Sequence, residues 1–256
     1  MTPVRGRAVL HERQPRQVSC GMLLIVQFLY ARPDPEGRLL LRGQSVLESW
    51  MAKSHQDQQK LDRYLDELEV LTAGAVGDRR HLSLELRVGL SAAIPLIGRG
   101  NDLDNYVYPV VRRLKADRFD VAFADKDHAG FSTICIGEAR LTDAPVSEPQ
   151  LSVRTSAPSD SREWKQQVFD ACRRAISAPL PRGPVAIDLR FTVARARNRS
   201  NLWKPAIDAL GPVLGIPDST KPFHPFDDRI VSVGLHRTVD DSVGWGVIVD
   251  IWWSER

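Results

Sequence analysis

The chain has 256 residues, enough to bury a core as one large domain or as two of about 110–130 residues. Its 43% apolar and 26% charged content is that of a globular domain and excludes a low-complexity chain; a net charge of +3 is too small to argue for nucleic acid by itself. Cys20, Cys135 and Cys172 are odd in number, widely spaced and part of no Cys-x-x-Cys pair, which argues against a disulfide framework or structural zinc and for a reducing, cytoplasmic setting.

In chain order, residues 1–20 are rich in Arg, Pro and Gln without an apolar period and are expected to be a flexible tail. The most apolar stretch, Met22 to Ala31, is too short to cross a bilayer and is followed by no small-x-small cleavage site. No membrane role is expected, and Leu23–Tyr30 reads as a buried strand. After a Pro/Gly turn at 32–37, Leu61, Tyr64, Leu65, Leu68 and Leu71 recur at helical spacing. A strand at 82–90 leads through a loop into a helix at 105–115, with Val107, Val110, Val111 and Leu114 on one face. A strand at 131–138 follows. The segment 142–160, dense in Pro, Ser and Asp, reads as a linker. The order then repeats: a helix at 162–176, a strand at 185–193, a helix at 201–210, a Pro-rich loop at 211–226, and strands at 230–236 and 244–253. The expected organisation is a tail (1–20), a first unit (21–145) and a second unit (146–256).

The repeat extends to a motif. Asn101-Asp102-Leu103-Asp104-Asn105-Tyr106-Val107-Tyr108-Pro109 and Arg197-Asn198-Arg199-Ser200-Asn201-Leu202-Trp203-Lys204-Pro205 align through Asn105 with Asn201, Pro109 with Pro205 and Leu114 with Leu210. Each follows an alternating strand, and the first copy carries a longer loop, roughly Ile94 to Gly100. In the first copy two aspartates precede the shared Asn; in the second their places are taken by Asn198 and Ser200. Alone, Asp-x-Asp at a strand-to-helix junction reads as a helix N-cap. The same pair also suits Mg²⁺ or Mn²⁺, because hard cations prefer oxygen ligands and two carboxylates offset their charge.

The combination Asp-x-Asp-Asn-Leu-x-Lys, a helix ending Asp-Ala-Leu, and an Asp before Ile-Val-x-Val resembles the RusA-type Holliday junction resolvase family. Here it is divided between the copies. Asp102, Asp104 and Asn105 carry the acidic part; Asn201, Leu202, Lys204, Asp208-Ala209-Leu210 and Asp227-Asp228-Arg229-Ile230-Val231 carry the rest. The resemblance implies a mixed α/β (α+β) fold. It would consist of two RusA-like units, each a small mixed sheet with helices, forming a pseudo-dimer within one chain. It also implies a Mg²⁺-dependent endonuclease acting on branched DNA in recombination or repair. Asp102, Asp104 and Asp127 would be the metal ligands, with Asp125 the rival third ligand, and Lys204 would assist catalysis. In the second copy the third aspartate falls at Asp228 or Asp227, and that site is expected to be weak or empty. Arg112, Arg113, Arg197, Arg199 and Lys204 are expected to contact DNA phosphates, which position a duplex without reading its sequence. The alternative is a non-catalytic DNA-binding or assembly protein on the same scaffold, with Asp102 and Asp104 as structural caps. A third possibility is an unrelated α+β protein, which failure to bind any DNA at low salt would mark.

Other candidates are weaker. His128 beside Asp127 reads either as a proton carrier or as a turn residue. Trp245, Trp252 and Trp253 read either as base-stacking or as packing residues. Gly98-Arg99-Gly100 is a turn, since no Lys-Ser/Thr follows it.

Overall fold

In the computed structural model of the chain, the residues described are 27–41, 45–47, 55–98, 100–158, 161–197 and 200–256. The expected tail, Leu23 to Val26 of the expected first strand, Asn198 and Arg199 lie outside them. The fold is mixed α+β: among the described residues, one eight-stranded mixed sheet with five α-helices.

The elements are β1 (Leu39–Leu40), α1 (Gln56–Val76), β2 (Leu82–Leu90), α2 (Leu103–Arg113), β3 (Phe119–His128), β4 (Thr133–Glu138), β5 (Leu151–Thr155), α3 (Arg162–Ala175), β6 (Val185–Val193), α4 (Ser200–Asp208), α5 (Gly211–Leu214), β7 (Ile230–Val239) and β8 (Val247–Glu255). The strand order is β1-β4-β2-β3-β7-β6-β8-β5. Pairing in the second half repeats that in the first. β2 runs parallel to β3 with a register shift after Leu82, and β6 runs parallel to β7 with the same shift after Val185. β4 is antiparallel to β2, as β8 is to β6, with Leu82 opposite Glu138 and Val185 opposite Glu255. The outermost β1 and β5 each add an antiparallel edge. Between the halves β3 and β7 pair antiparallel, from Val121–His236 to Asp125–Ser232. The expected pair of small sheets is therefore joined edge to edge into one.

Strand side chains alternate between faces, and the apolar set of each central strand turns toward the helices. Leu84, Leu86, Ala122, Ala124, Ile187, Leu189, Val233 and Leu235 share one buried cluster with Leu68, Val107, Val110, Trp164, Leu202 and Trp203. The opposite face is polar: Glu85, Arg87, Asp125, Ser232, His236, Asp188 and Arg190 point there, and Gln27, Tyr30 and Arg32 reach onto it.

Several expectations are corrected. The segment 142–160 is no mere linker: it contains β5, whose Leu151, Val153 and Thr155 are buried against β8 and α3. Its Pro and Ser content belongs to the flanking turns. Of Leu23–Tyr30, residues 27–30 form isolated bridges, Gln27 with Val146 and Tyr30 with Leu141, and Phe28 is exposed. In α1, Leu71 is exposed and Thr72 takes the buried position, its hydroxyl donating to the Leu68 carbonyl. The largest omission is β3. Phe119-Asp120-Val121-Ala122-Phe123 has no clean polar alternation because both faces are covered, as befits a central strand with a parallel neighbour.

Because the β3–β7 pairing runs through the middle of one sheet, the two halves are expected to unfold together. Trp164, Trp203, Trp245, Trp252 and Trp253 all lie in the second half, so tryptophan fluorescence reports mainly on it and far-ultraviolet circular dichroism on the whole. Both probes should give one coincident thermal transition. Leu235→Ala, in the fully buried middle of β7, should lower stability by about 2–5 kcal/mol with the transitions still coincident. Separated midpoints would mean that the halves are energetically independent.

Candidate functional site

The loop before α2 is shaped by Gly98 and Gly100, both at positive φ (93° and 66°), where a side chain would be strained. It delivers Asp102 to the N-cap position of α2. Asp102 does not cap: it makes no side-chain bond to the helix backbone, and its Oδ2 instead accepts from Asn105 Nδ2 at 3.1 Å. The structural-cap reading of Asp102 therefore fails. Asp102 Oδ1 and Asn105 Oδ1 are buried acceptors that find no hydrogen-bond donor among the described residues.

Asp104, in the first turn of α2, is buried, and Lys204 of α4 donates to its Oδ2 at 3.2 Å. Lys204 also pairs with Asp208 one turn on, at 3.4 Å. Lys126, almost fully buried on β3, donates to the Asn101 carbonyl at 2.7 Å and the Asp228 carbonyl at 2.6 Å. It thereby ties the start of α2 to the single 3-10 turn Asp227–Arg229 that precedes β7. That turn brings Asp227 into the field of Asp102 and Asp104. The cluster thus draws Asp102, Asp104 and Lys126 from the first half and Lys204, Asp208 and Asp227 from the second.

Its electrostatics follow from burial. Removal from water raises Asp102, Asp104 and Asp227; repulsion from Asp104 adds to it at Asp102, from Asp208 at Asp104, and from Asp102 and Asp104 at Asp227, while Lys204 works against all three shifts. Asp227 is pushed up to about 7 by burial and by Asp102 and Asp104. Burial pulls Lys126 down to about 8 against the attraction of Asp102 and the Asp227–Asp228 pair. Burial would also lower Lys204, but Asp104 and Asp208 outweigh it and hold that ammonium above its ordinary value. Because Lys204 divides its charge between two carboxylates, it offsets only part of the cost at Asp104.

Asp127 is not brought to this cluster. Lys126 faces the helices, so its neighbours Asp125 and Asp127 face the opposite side of the sheet. Asp125 pairs there with Arg32, and Asp127 is exposed, accepting from the backbone N–H of His128 at 2.7 Å. His128 is exposed as well. The physical reason is the missed strand: with β3 in place, the residue preceding it that matches Asp228 is Asp117, and Asp127 matches Thr238 near the end of β7. Asp227 is visible in the sequence, but its motif points to the second site. Only the pairing of β3 with β7 brings it into the field of Asp102 and Asp104. Lys126, absent from the sequence-based candidates, carried no motif signal beyond being a lysine in an apolar run.

The basic candidates also divide. Arg113 turns toward α1, where it pairs with Glu69 at 2.6 Å and with Asp66, so it is not a free phosphate contact. Arg112 and Arg197 line a cavity of about 580 Å³ together with Arg195, Arg237, Tyr108 and Asn201. Trp252 packs beneath Arg190 and Trp253 is half-buried, whereas Trp245 is 88% exposed.

The donor set suits a hard divalent cation in kind, since it offers carboxylates and an amide oxygen, and two of these oxygens, Asp102 Oδ1 and Asn105 Oδ1, have no donor among the described residues. Among the described residues, no three acidic, histidine or cysteine side chains stand close enough to enclose an ion as they are placed. No helix is long and apolar enough to cross a membrane among the described residues. No protein-family model matches the chain, and no curated protein matches it.

Stability should carry the mark of the crowded carboxylates. Asp227 sits at about 7 when folded against an ordinary 3.8. Between those values the folded state holds a proton that the unfolded chain has released, so stability falls as pH rises from about 4 to about 7. Asp227→Asn is expected to flatten that fall and to raise the melting temperature at pH 8, by roughly 2–4 °C per kcal/mol of repulsion relieved. Mg²⁺ or Mn²⁺ should raise the melting temperature of the parent protein at pH 8 far more than at pH 5. A parent protein whose stability is flat from pH 4 to 7 would contradict the cluster as described.

Proposed function

We propose that the protein is a Mg²⁺- or Mn²⁺-dependent endonuclease acting on branched or structured DNA, built as two fused RusA-like units that share one acidic site. The observation that carries the reading is the grouping of buried Asp104 with half-buried Asp102 and Asp227, with Asp102 Oδ1 and Asn105 Oδ1 lacking a donor among the described residues. Nothing in a folding core rewards orphaned oxygens beside gathered carboxylates, which cost free energy until a cation neutralises them. This metal set replaces the one containing Asp127.

Asp102, Asp104 and Asp227 would hold the ion, with the Asn105 amide oxygen beside them. When bound, the metal would polarise the phosphodiester and activate water. The chain's own groups have separate roles. Lys204, held charged by Asp104 and Asp208, supplies positive charge next to the scissile phosphate. Lys126 fixes the distance between the two loops that bear the carboxylates by bonding both carbonyls. Arg112 and Arg197 sit within reach of phosphate on the adjoining surface. Only one site carries the acidic pair, so one strand is cut per binding event. Symmetric resolution would need two chains or rebinding.

A non-catalytic DNA-binding protein remains the second reading. It is favoured by the absence, among the described residues, of three acidic, histidine or cysteine groups placed to enclose an ion. The two readings part on cleavage. On a four-way junction labelled strand by strand, the parent protein with Mg²⁺ should nick. Asp104→Asn should bind as well as the parent but cut more weakly, by more than the roughly 10–100-fold typical of a lost partner to a metal ligand. A parent that cuts no branched, flapped or single-stranded substrate with Mg²⁺ or Mn²⁺ leaves the binding protein.

A further inference from the structure

The repeated pairing gives each residue of the acidic cluster a counterpart, and apart from Asn198, which matches Asp102 and lies outside the described residues, the counterparts lie around the cavity that contains Arg112 and Arg197. Asp104 is matched by Ser200, Lys204 by Tyr108 and Asp208 by Arg112, through the alignment of Asn105 with Asn201 and Pro109 with Pro205. Lys126 is matched by Arg237 and Asp227 by Ala116, through the common register of β2–β3 and β6–β7. Ala116, Tyr108, Arg112, Ser200 and Arg237 all line this cavity, and Arg195 and Arg197 join them from the loop after β6. Where the first site gathers carboxylates, its counterpart gathers four guanidinium groups. One carboxylate, Asp117, also lines the cavity, and it lies 3.7 Å from Arg80.

Two of the arginines are prepared for a ligand. The Nε atoms of Arg197 and Arg237 are shielded from solvent and find no acceptor among the described residues. One Nη of each is fixed by a backbone carbonyl: Arg197 Nη1 donates to Trp245 at 2.8 Å and Arg237 Nη2 to Arg195 at 3.2 Å. Arg112 lies over the Tyr108 ring, 5.3 Å from its centre. Guanidinium groups stay charged at all ordinary pH and match phosphate oxygens in pairs. A buried Nε–H without an acceptor costs free energy that an anion would recover. Trp245, whose carbonyl anchors Arg197, is 88% exposed, as a base-stacking residue must be.

We propose that the counterpart of the acidic cluster is a phosphodiester-binding pocket, in which Arg112, Arg195, Arg197 and Arg237 hold a backbone phosphate of a nucleic acid strand that is not cut, with Trp245 stacked on a neighbouring unpaired base. This deepens the nuclease reading by naming the substrate as a strand held at one site and cleaved at the other, but its test involves no cleavage. A small cavity of about 150 Å³ between α2 and α4, lined by both Asp104 and Ser200, places the two sites side by side.

The test is the binding of a fluorescein-labelled 12-nucleotide oligothymidylate, followed by anisotropy in EDTA across a salt series. Arg195→Gln/Arg237→Gln and, separately, Arg112→Gln/Arg197→Gln should each weaken binding about tenfold. Each should also reduce the slope of log affinity against log salt by about 1.4, the value for two lost contacts to a single strand. Arg112 and Arg195 are exposed, so at least one substitution in each pair is free of packing cost, and unchanged melting temperatures verify the fold. The charge-matched Arg140→Gln/Arg173→Gln should bind within about twofold of the parent, since both side chains are far more than half exposed and away from the cavity. Trp245→Ala should weaken binding about tenfold; unchanged binding would overturn the assignment to a strand. Pocket variants that bind like the parent, or a control pair that weakens as much, would overturn the pocket. If the parent never cuts DNA but the pocket variants lose binding, the nuclease reading fails and the pocket stands. If the parent nicks DNA and the pocket variants bind normally, the pocket alone fails.

Discussion

Antiparallel pairing of β3 with β7 decides where every functional group ends up. Two open sheet edges, each the last strand of a repeated βαβ-like arrangement, satisfy one another's backbone hydrogen bonds and leave neither exposed. The join also fixes geometry. The helices that follow β2 and β6 pack on the same face of the sheet, and α2 lies against α4. Each half therefore presents its motif to the other half's 3-10 turn rather than to its own, and Lys126 bridges the join by bonding carbonyls on both sides of it.

Sharing a site across such a seam relaxes a constraint that a symmetric pair would face. In two identical units each motif must serve its own site and its neighbour's, so no position can change in one copy alone. In a single chain each position is free, and the charges here have separated. Carboxylates have collected on one side, with lysines that compensate them only in part. Arginines have collected on the other. Adjacent opposite charges stabilise each other at long range, while each site keeps a local excess that calls for a ligand of opposite sign. The acidic side favours a cation and the basic side an anion, and the metal-bound phosphodiester strand proposed above would supply both.

The polar face of the sheet is a separate matter. Glu85 is buried and held by Arg32, Arg38 and Arg87, and burial is outweighed there, so the carboxylate sits below its ordinary value. Glu85 differs from the site carboxylates in one respect: three guanidinium groups surround one carboxylate. That network is satisfied and explains how residues 27–38 dock on the sheet. The cluster around Asp104 is not satisfied in this way, since Asp102 Oδ1 and Asn105 Oδ1 lack donors among the described residues.

The sequence by itself determined the local elements, because period and capping are local physics. β2 and β6 fall at 82–90 and 185–193 as alternation requires, and α1 and α3 carry their apolar stripes where the spacing places them, save that Thr72 takes the place of Leu71 in the buried stripe of α1. It also determined the repeat and the asymmetry of its motif, with Asp102 and Asp104 opposite Asn198 and Ser200. It did not reveal β3, since a strand covered on both faces loses the alternation that marks a strand, and with β3 unseen the third acidic position was sought at Asp127. The resemblance already set Lys204 with Asp102 and Asp104, and Lys204 does bond Asp104; only the tertiary structure decided that Asp227 lies with them, and that Arg112, Arg195 and Arg237 share one cavity. Those groupings join residues about a hundred positions apart through the β3–β7 seam. Strand pairing between distant segments depends on which edges remain open after the whole chain has packed, and no window of sequence contains that information.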